Sequence, residues 1–376
     1  MPIFTKTLSL IRETDKYSEK SKLLTFLLHN LKQKKMVLPP ESKAEFSSFI
    51  FDEIEHLIHL IPTIESYKEK DFLFEYEYHL QNAIMVCFRC ADELSEEQRS
   101  SIDTLLEIMS KERFLENMVD EIFAKKKYDE ESIKYLIAMT GLTKDEYHKG
   151  KLYQGLLHYQ RNLLKIPEDR RDLIGAHIQS EMNRYLDNPM TVDTENNLEL
   201  ICDICRYFRK DRFIEPLHKA LCLGNMHIRF YAVATLLTFS CDVPVSAVAS
   251  LANDMEYANL TYGLLKRYRK EKLFPADLST PEYLAQSDLV RWLSYPSELG
   301  QAPDDIEYIG KVKKRGTYYI FRFRSNSENL DEETRGQWLI GWSEAKGGTF
   351  SNFDLYSNYK QLTNDKTVKY IKKNLL

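Results

Sequence analysis

Long apolar runs are missing from this chain. Its 376 residues hold no uncharged stretch of about 18 or more apolar residues, the length a membrane-spanning helix needs. Residues Met1 to Lys16 lack the basic, apolar and small-residue regions of a signal peptide, so a cytoplasmic location is the expectation. Cysteine is sparse, with six in the whole chain, which argues against a disulfide scaffold. An excess of basic charge is missing too. Lys plus Arg number 52 against 57 Asp plus Glu, a net charge of -5, whereas a dedicated nucleic-acid binder usually carries a basic excess. The sequence has no HExxH, no Gly-x-Ser-x-Gly, no Walker-type loop and no dinucleotide fingerprint. Catalysis by residues scattered in sequence is then the weaker reading.

What is present is ordinary for a folded protein. Hydrophobic residues make up 43% and charged residues 29%, unlike disordered or collagen-like chains. The length suffices for two or three domains with sizeable cores.

Two cysteine pairs have CxxC spacing, Cys87/Cys90 and Cys202/Cys205. Such spacing serves zinc or redox chemistry when a turn or a helix N-terminus presents the sulfurs. Both pairs lie inside helical periodicity with no neighbouring Gly, which favours small apolar residues on buried helix faces. Glu53-x-x-His56 and His56-x-x-His59 have the spacing of carboxylate-bridged metal ligands, but the partner helix offers only Asp145-x-x-His148. No metal, cofactor or catalytic residue is assigned.

Composition changes near residue 280. All three tryptophans, Trp292, Trp338 and Trp342, and seven of the 13 glycines lie beyond it. Before it the pattern is helix after helix, broken by short Pro, Gly, Asp and Asn punctuation. Helices are expected over Glu41–Leu60, with Phe46, Ile50, Ile54, Leu57 and Leu60 on one face, and over about 67–94. Others follow from the Ser95 cap, near 111–125, 130–140 and 143–164, from Pro167 to about Leu186, and over about 194–209. Many helices with short connections over more than 250 residues point to an α-solenoid.

Residues 212–241 and 242–271 form two consecutive blocks, each a short helix, a turn and a longer helix. In the first, Pro216, Leu217, Ala220, Leu221, Gly224, Asn225, Ile228, Arg229 and Ala232 fall in a pattern that resembles a HEAT-type repeat. That resemblance implies a Pro bending the first helix, small residues at the helix crossing and an Arg opening the second helix. Asn225 stands where the family usually carries Asp.

Beyond Pro281 the chain reads as a small α+β domain. Asp288–Tyr295 fits a short helix, and strands are expected over 305–314, 317–325, 337–343 and 350–356, with a closing helix from Thr367. Alternation puts Tyr319, Phe321 and Phe323 on one sheet face and Tyr318, Ile320, Arg322 and Arg324 on the other. Lys311 and Lys313 are expected to join that basic face, and Trp338, Ile340 and Trp342 to share a face, with both tryptophans in the core. The run from Ser287 to Glu307, including Arg291-Trp292-Leu293-Ser294-Tyr295-Pro296, is similar to a segment of uncharacterised bacterial proteins that place such a domain after HEAT-like repeats. The similarity implies a shared architecture and no particular activity. The fold class is therefore mainly α, a HEAT-like α-solenoid over 1–278 followed by a small α+β domain over 279–376 with an antiparallel sheet.

Basic residues mixed with aromatics cluster twice at predicted helix ends, around Arg206, Arg209 and Arg212, and around Lys266, Arg267, Arg269, Lys270 and Lys272. Cations there complement the helix dipole, and if aligned on one edge they also suit phosphate or an acidic protein surface. Arg322 and Arg324 offer a third basic site, and Trp292 an anchor; residues 276–376 are neutral overall, with 14 Lys plus Arg and 14 Asp plus Glu. The leading functional expectation is a non-catalytic scaffold that binds a protein or peptide partner along the solenoid, helped by its 23 tyrosines. Nucleic-acid binding or DNA repair is the second. The third is a ligand-binding or enzymatic site in the C-terminal domain, with Asp288, Arg291 and Trp292 near Arg322.

Overall fold

A computed structural model describes residues 3–32, 45–46, 48–49, 52–53, 133, 136–137, 140–141, 146–313, 316–346, 349–356 and 364–374. Contacts divide the chain into two compact units, Met1–Pro216 and Leu217–Leu376. No helix among the described residues is long and apolar enough to cross a membrane.

The first unit is helical throughout its described elements. Helix α1 (Ile3–Glu13) packs on α2 (Tyr17–Lys32) and buries Leu8, Ile11, Leu24 and Leu27, spaced by three on each helix. Phe46 and Phe49 are helical and buried. The remaining apolar set of the expected 41–60 helix, the helices expected over 67–125, and the pair Cys87/Cys90 lie outside the described residues.

Helices α3 (Glu146–His158), α4 (Gln160–Leu163), α5 (Glu168–Asp187) and α6 (Val192–Ile204) complete this unit. Their start signals are local. Pro167 precedes α5, with Glu168 and Asp169 in its first turn facing the positive end of the dipole. Thr191 and Thr194 cap α6 reciprocally, each side chain accepting the other's backbone N–H. Ile174, Ile178, Met182 and Tyr185 of α5 are buried, as are Leu198, Ile201 and Cys202 of α6 and Cys205 just beyond it. Helix α6 packs on both α3 and α5. The Cys205 thiol lies 3.9 Å from Met182 Sδ. Burial pushes both thiols up, Cys202 and Cys205 alike, as expected for apolar packing rather than thiolate chemistry.

The division between units falls within α7 (Ile214–Ala220). In the second unit α8 (Met226–Thr238), α9 (Val245–Asn253), α10 (Ala258–Arg267) and α11 (Pro281–Leu293) each pack on the next. The Asn225 side chain caps α8 by accepting from His227 N and Ile228 N. Arg229 donates to the Leu223 carbonyl at 2.5 Å and to Ser250 Oγ on α9, so one guanidinium ties the turn to the following hairpin.

Helices α8 and α10 end in the same way. Ser240 and Arg269, 29 residues apart (240 to 269), sit in the left-handed region at φ 59° and 57°. In each case the next N–H bonds the carbonyl five residues back, Cys241 N to Leu236 O and Lys270 N to Leu265 O. Ile228, Ala232 and Leu236 of α8 match the buried Tyr257, Thr261 and Leu265 at that same offset. Glycine is the residue this cap favours, and Arg269 pays about 1 kcal/mol for its Cβ there. Arg269→Gly is therefore expected to raise stability by about 0.5–1 kcal/mol, visible as a higher thermal midpoint.

A four-stranded antiparallel sheet follows, β1 (Asp305–Lys313), β2 (Thr317–Arg324), β3 (Leu339–Lys346) and β4 (Thr349–Tyr356), in the order β1-β2-β3-β4. Alternation gives it two covered faces. Tyr319, Phe321, Phe323 and Leu339 meet Ala285, Leu289 and Leu293 of α11. Val312, Ile320, Ile340 and Trp342 meet Ile371 of the closing helix α12 (Asn364–Asn374). Gly341 lets α11 approach β3, since a Cβ there would meet Phe323 at 3.1 Å and Leu289 at 3.3 Å.

A bulge in β1 corrects the expected basic face. Asp305 pairs with Arg324 and Glu307 with Arg322, but the register shifts between Tyr308 and Gly310. Beyond it Lys311 pairs with Tyr319 and Lys313 with Thr317. One extra residue thus moves the odd positions of β1 to the other face, and the two lysines do not join the arginines.

Candidate functional site

A partly buried polar network joins α3, α5 and α6 of the first unit. Lys149 Nζ lies 2.6 Å from Glu181 and 3.5 Å from Glu146. Arg184 closes the ring, 2.5 Å from Glu146 and 2.8 Å from Glu181. Tyr185 Oη donates to Glu146 Oε2 at 2.5 Å, and Asn197 Nδ2 donates to the same carboxylate at 3.1 Å. Burial alone would raise the Glu146 carboxyl, yet the Tyr185 hydroxyl and the charges of Lys149 and Arg184 together hold it below its ordinary value. Burial, and then the hydrogen bond to Glu146, push Tyr185 up. Lys149, Arg184, Tyr185 and Asn197 all donate to the Glu146 and Glu181 carboxylates. The network clamps three helices and offers no exposed nucleophile or base. Sequence reading missed it because Glu146/Lys149 and Glu181/Arg184 are spaced i, i+3, the pattern of solvated charges.

The three arginines of the cluster at Arg206–Phe213 are paired within the same unit. Arg206 pairs with Asp203 at 2.7 Å and stacks on Tyr207 at 5.2 Å. Arg212 forks onto Asp172 with two bonds of 2.8 Å, the first cause of that carboxyl lying below its usual range. Arg209 shares Asp172 at 3.8 Å and Asp211 at 3.6 Å. Phe208 and Phe213 are buried against each other.

The cluster at 266–272 differs. Lys266 and Arg267 end α10, and Arg269, Lys270 and Lys272 follow in the turn; all five are exposed. Among the described residues none of the five forms an ion pair. Tyr268 between them is pinned by a 2.8 Å hydrogen bond with Thr238.

On the sheet, Arg322 pairs with Glu307 at 2.5 Å and Arg324 with Asp305. Both guanidiniums lie over Trp338, at 4.6 and 5.4 Å from the ring centre. Trp342 is in the core as expected, but Trp338 is half-buried and precedes β3 rather than filling the interior. Lys311 holds Glu282 at 3.0 Å, and that hydrogen bond is the main cause of the lowered Glu282 carboxyl.

The grouping of Asp288, Arg291 and Trp292 near Arg322 that would favour a ligand site is not assembled. Asp288 is buried and accepts from Ser343 Oγ at 2.9 Å and Asn259 Nδ2 at 3.2 Å. Arg291 donates to Tyr295 Oη at 2.9 Å, and Trp292 packs against the α11 side of the sheet. Arg322 belongs to the opposite face. Glu53 of the ExxH motif is engaged by Lys20 at 2.9 Å, while His56 and His59 lie outside the described residues. Among the described residues no group of three or more His, Cys, Asp and Glu could hold a metal ion. Comparison of the chain with family models, with curated proteins and with solved structures finds no match.

Proposed function

We propose that this chain is a non-catalytic interaction protein, in which HEAT-like α-hairpins stack as a solenoid and present their outer surface to a protein partner. The observation that carries this reading is the repeated hairpin of the second unit. Helices α8 to α11 pack each on the next, and α8 and α10 share buried positions and an unusual left-handed cap at one 29-residue offset (240 to 269). Repetition of that kind gives each hairpin the same task, covering its neighbour's apolar side and leaving an outer wall free. The polar networks around Glu146, Asp172 and Trp338 fit the reading, because their charges are spent on joining helices and strands rather than on a shared cleft.

Two measurements test it together. Small-angle scattering is expected to give a radius of gyration clearly above the roughly 21 Å of a compact globule of this length. Affinity capture with the full chain, followed by chemical crosslinking, is expected to map a stoichiometric protein partner onto the helical hairpins. A compact radius together with turnover or tight binding of a small substrate overturns the proposal.

A further inference from the structure

We infer that the turn Lys266–Lys272 is the docking point for an acidic peptide segment of that partner. The inference deepens the interaction reading and rests on it. Five cations crowd seven residues, with Glu271 the sole acidic group among them. Their mutual repulsion is relieved by no ion pair among the described residues, in contrast to Arg206, Arg209, Arg212, Arg322 and Arg324, each of which holds a carboxylate.

The backbone makes the contrast sharper. Arg269 occupies a left-handed position where its counterpart one hairpin earlier is the small Ser240. A long cationic side chain is kept at a conformational cost, and among the described residues no ion pair repays it. Strain held by a surrounding structure that fixes it is typical of binding sites. Here the fixing is done by the Lys270 N–H on Leu265 O and by Tyr268 on Thr238. The cations are thus displayed on a rigid turn, which lowers the ordering cost of binding.

Charge decides the occupant. Free ammonium and guanidinium groups call for anions, and the site is one short turn rather than a track. A nucleic-acid duplex carries a phosphate about every 1.7 Å and is gripped by positive charge spread along it. The whole chain carries 52 Lys plus Arg against 57 Asp plus Glu and so lacks the basic excess that binding such a polyanion calls for. A short run of Asp and Glu matches the turn in length and charge.

The test uses the full chain and a fluorescein-labelled peptide of about ten residues rich in Asp and Glu, read by anisotropy at low salt and at about 0.2 M salt. Binding that weakens with salt is expected. The triple variant Arg267→Ser, Lys270→Ser and Lys272→Ser is expected to lose about tenfold or more in affinity. Arg209→Ser, whose charge is already spent, is expected to bind as the parent does. Arg269→Gly is expected to bind several-fold more weakly while melting higher, which separates loss of charge from loss of fold. The inference is overturned if the triple variant binds the peptide as the parent does, or if a short DNA duplex binds more tightly than the peptide at equal salt. A captured partner that the triple variant still retains overturns this docking point but leaves the interaction reading standing. Absence of any partner for the parent chain sinks both.

Discussion

Lys149→Met is expected to cost the fold about 3 kcal/mol, within the range for breaking a buried charge pair. The side chain is 7% exposed, and its ammonium is shared by Glu181 and Glu146, themselves 20% and 25% exposed. Methionine fills most of the lysine's volume, so packing is nearly conserved and the loss reports charge. Without Lys149 the cation left to the two carboxylates among the described residues is Arg184, which is 42% exposed and already bonded to both. The pH dependence carries a definite sign. The folded protein holds Glu146 below its ordinary value near 4.5. Its contribution is therefore fully present above that value and is lost as pH falls through the folded one. Removing Lys149 takes away one of the lowering charges, so acid unfolding of the variant is expected to begin at higher pH than in the parent. Thermal and acid melts followed by circular dichroism check both statements. Equal midpoints for the two proteins would show that the network contributes no net stability.

The same network marks where sequence reading stops. Helix faces are legible because apolar residues repeat at three and four. Ile174, Ile178 and Met182 announce a buried stripe before any neighbour is known. Charges at i, i+3 carry no such information. Glu146/Lys149 and Lys16/Glu19 look alike in sequence, yet Lys16 is 77% exposed and Lys149 is almost wholly covered. Only the packing of α5 and α6 onto α3 decides between them, and that is a property of three distant segments.

Boundaries failed for a different reason. Helix α11 begins at Pro281, capped by Thr280, whose side chain accepts from Tyr283 N. The expected start at Asp288 is late, because Thr280-Pro281-Glu282 is a helix-opening sequence. The expected strands lie close to the observed ones because alternation fixes them. The bulge at Tyr308/Gly310 was invisible, since one unpaired residue leaves the alternating pattern of each flank intact. That single residue decides whether Lys311 faces Arg322 or Glu282. The basic turn at 266–272 was legible as composition, but its difference from the cluster at 206–213 was not. Asp172, which neutralises Arg212, lies 40 residues away in sequence.

Asp288→Ala is expected to destabilise the second unit by about 2–3 kcal/mol. The direction of the change is as informative as its size. Asp288 Oδ2 is the acceptor for the Ser343 hydroxyl, whose residue is fully buried, and Oδ1 takes the Asn259 amide. Alanine leaves the hydroxyl without that acceptor in a place water does not reach. Asn259 is half-buried and recovers part of its loss from solvent. Ser343→Ala alone is expected to cost a similar amount, because it strips a donor from a buried carboxylate. The double variant removes both needs at once, so its cost should fall short of the sum by about 1 kcal/mol or more. Denaturant unfolding of the four proteins measures the cycle. A carboxylate kept for chemistry behaves oppositely: it is tolerated at the expense of stability, and its removal commonly raises the melting temperature. A stabilised Asp288→Ala variant would therefore return the C-terminal domain to candidacy as a ligand-binding or catalytic module. A destabilised one with strong coupling to Ser343 makes Asp288 the bolt that joins α10, α11 and β3.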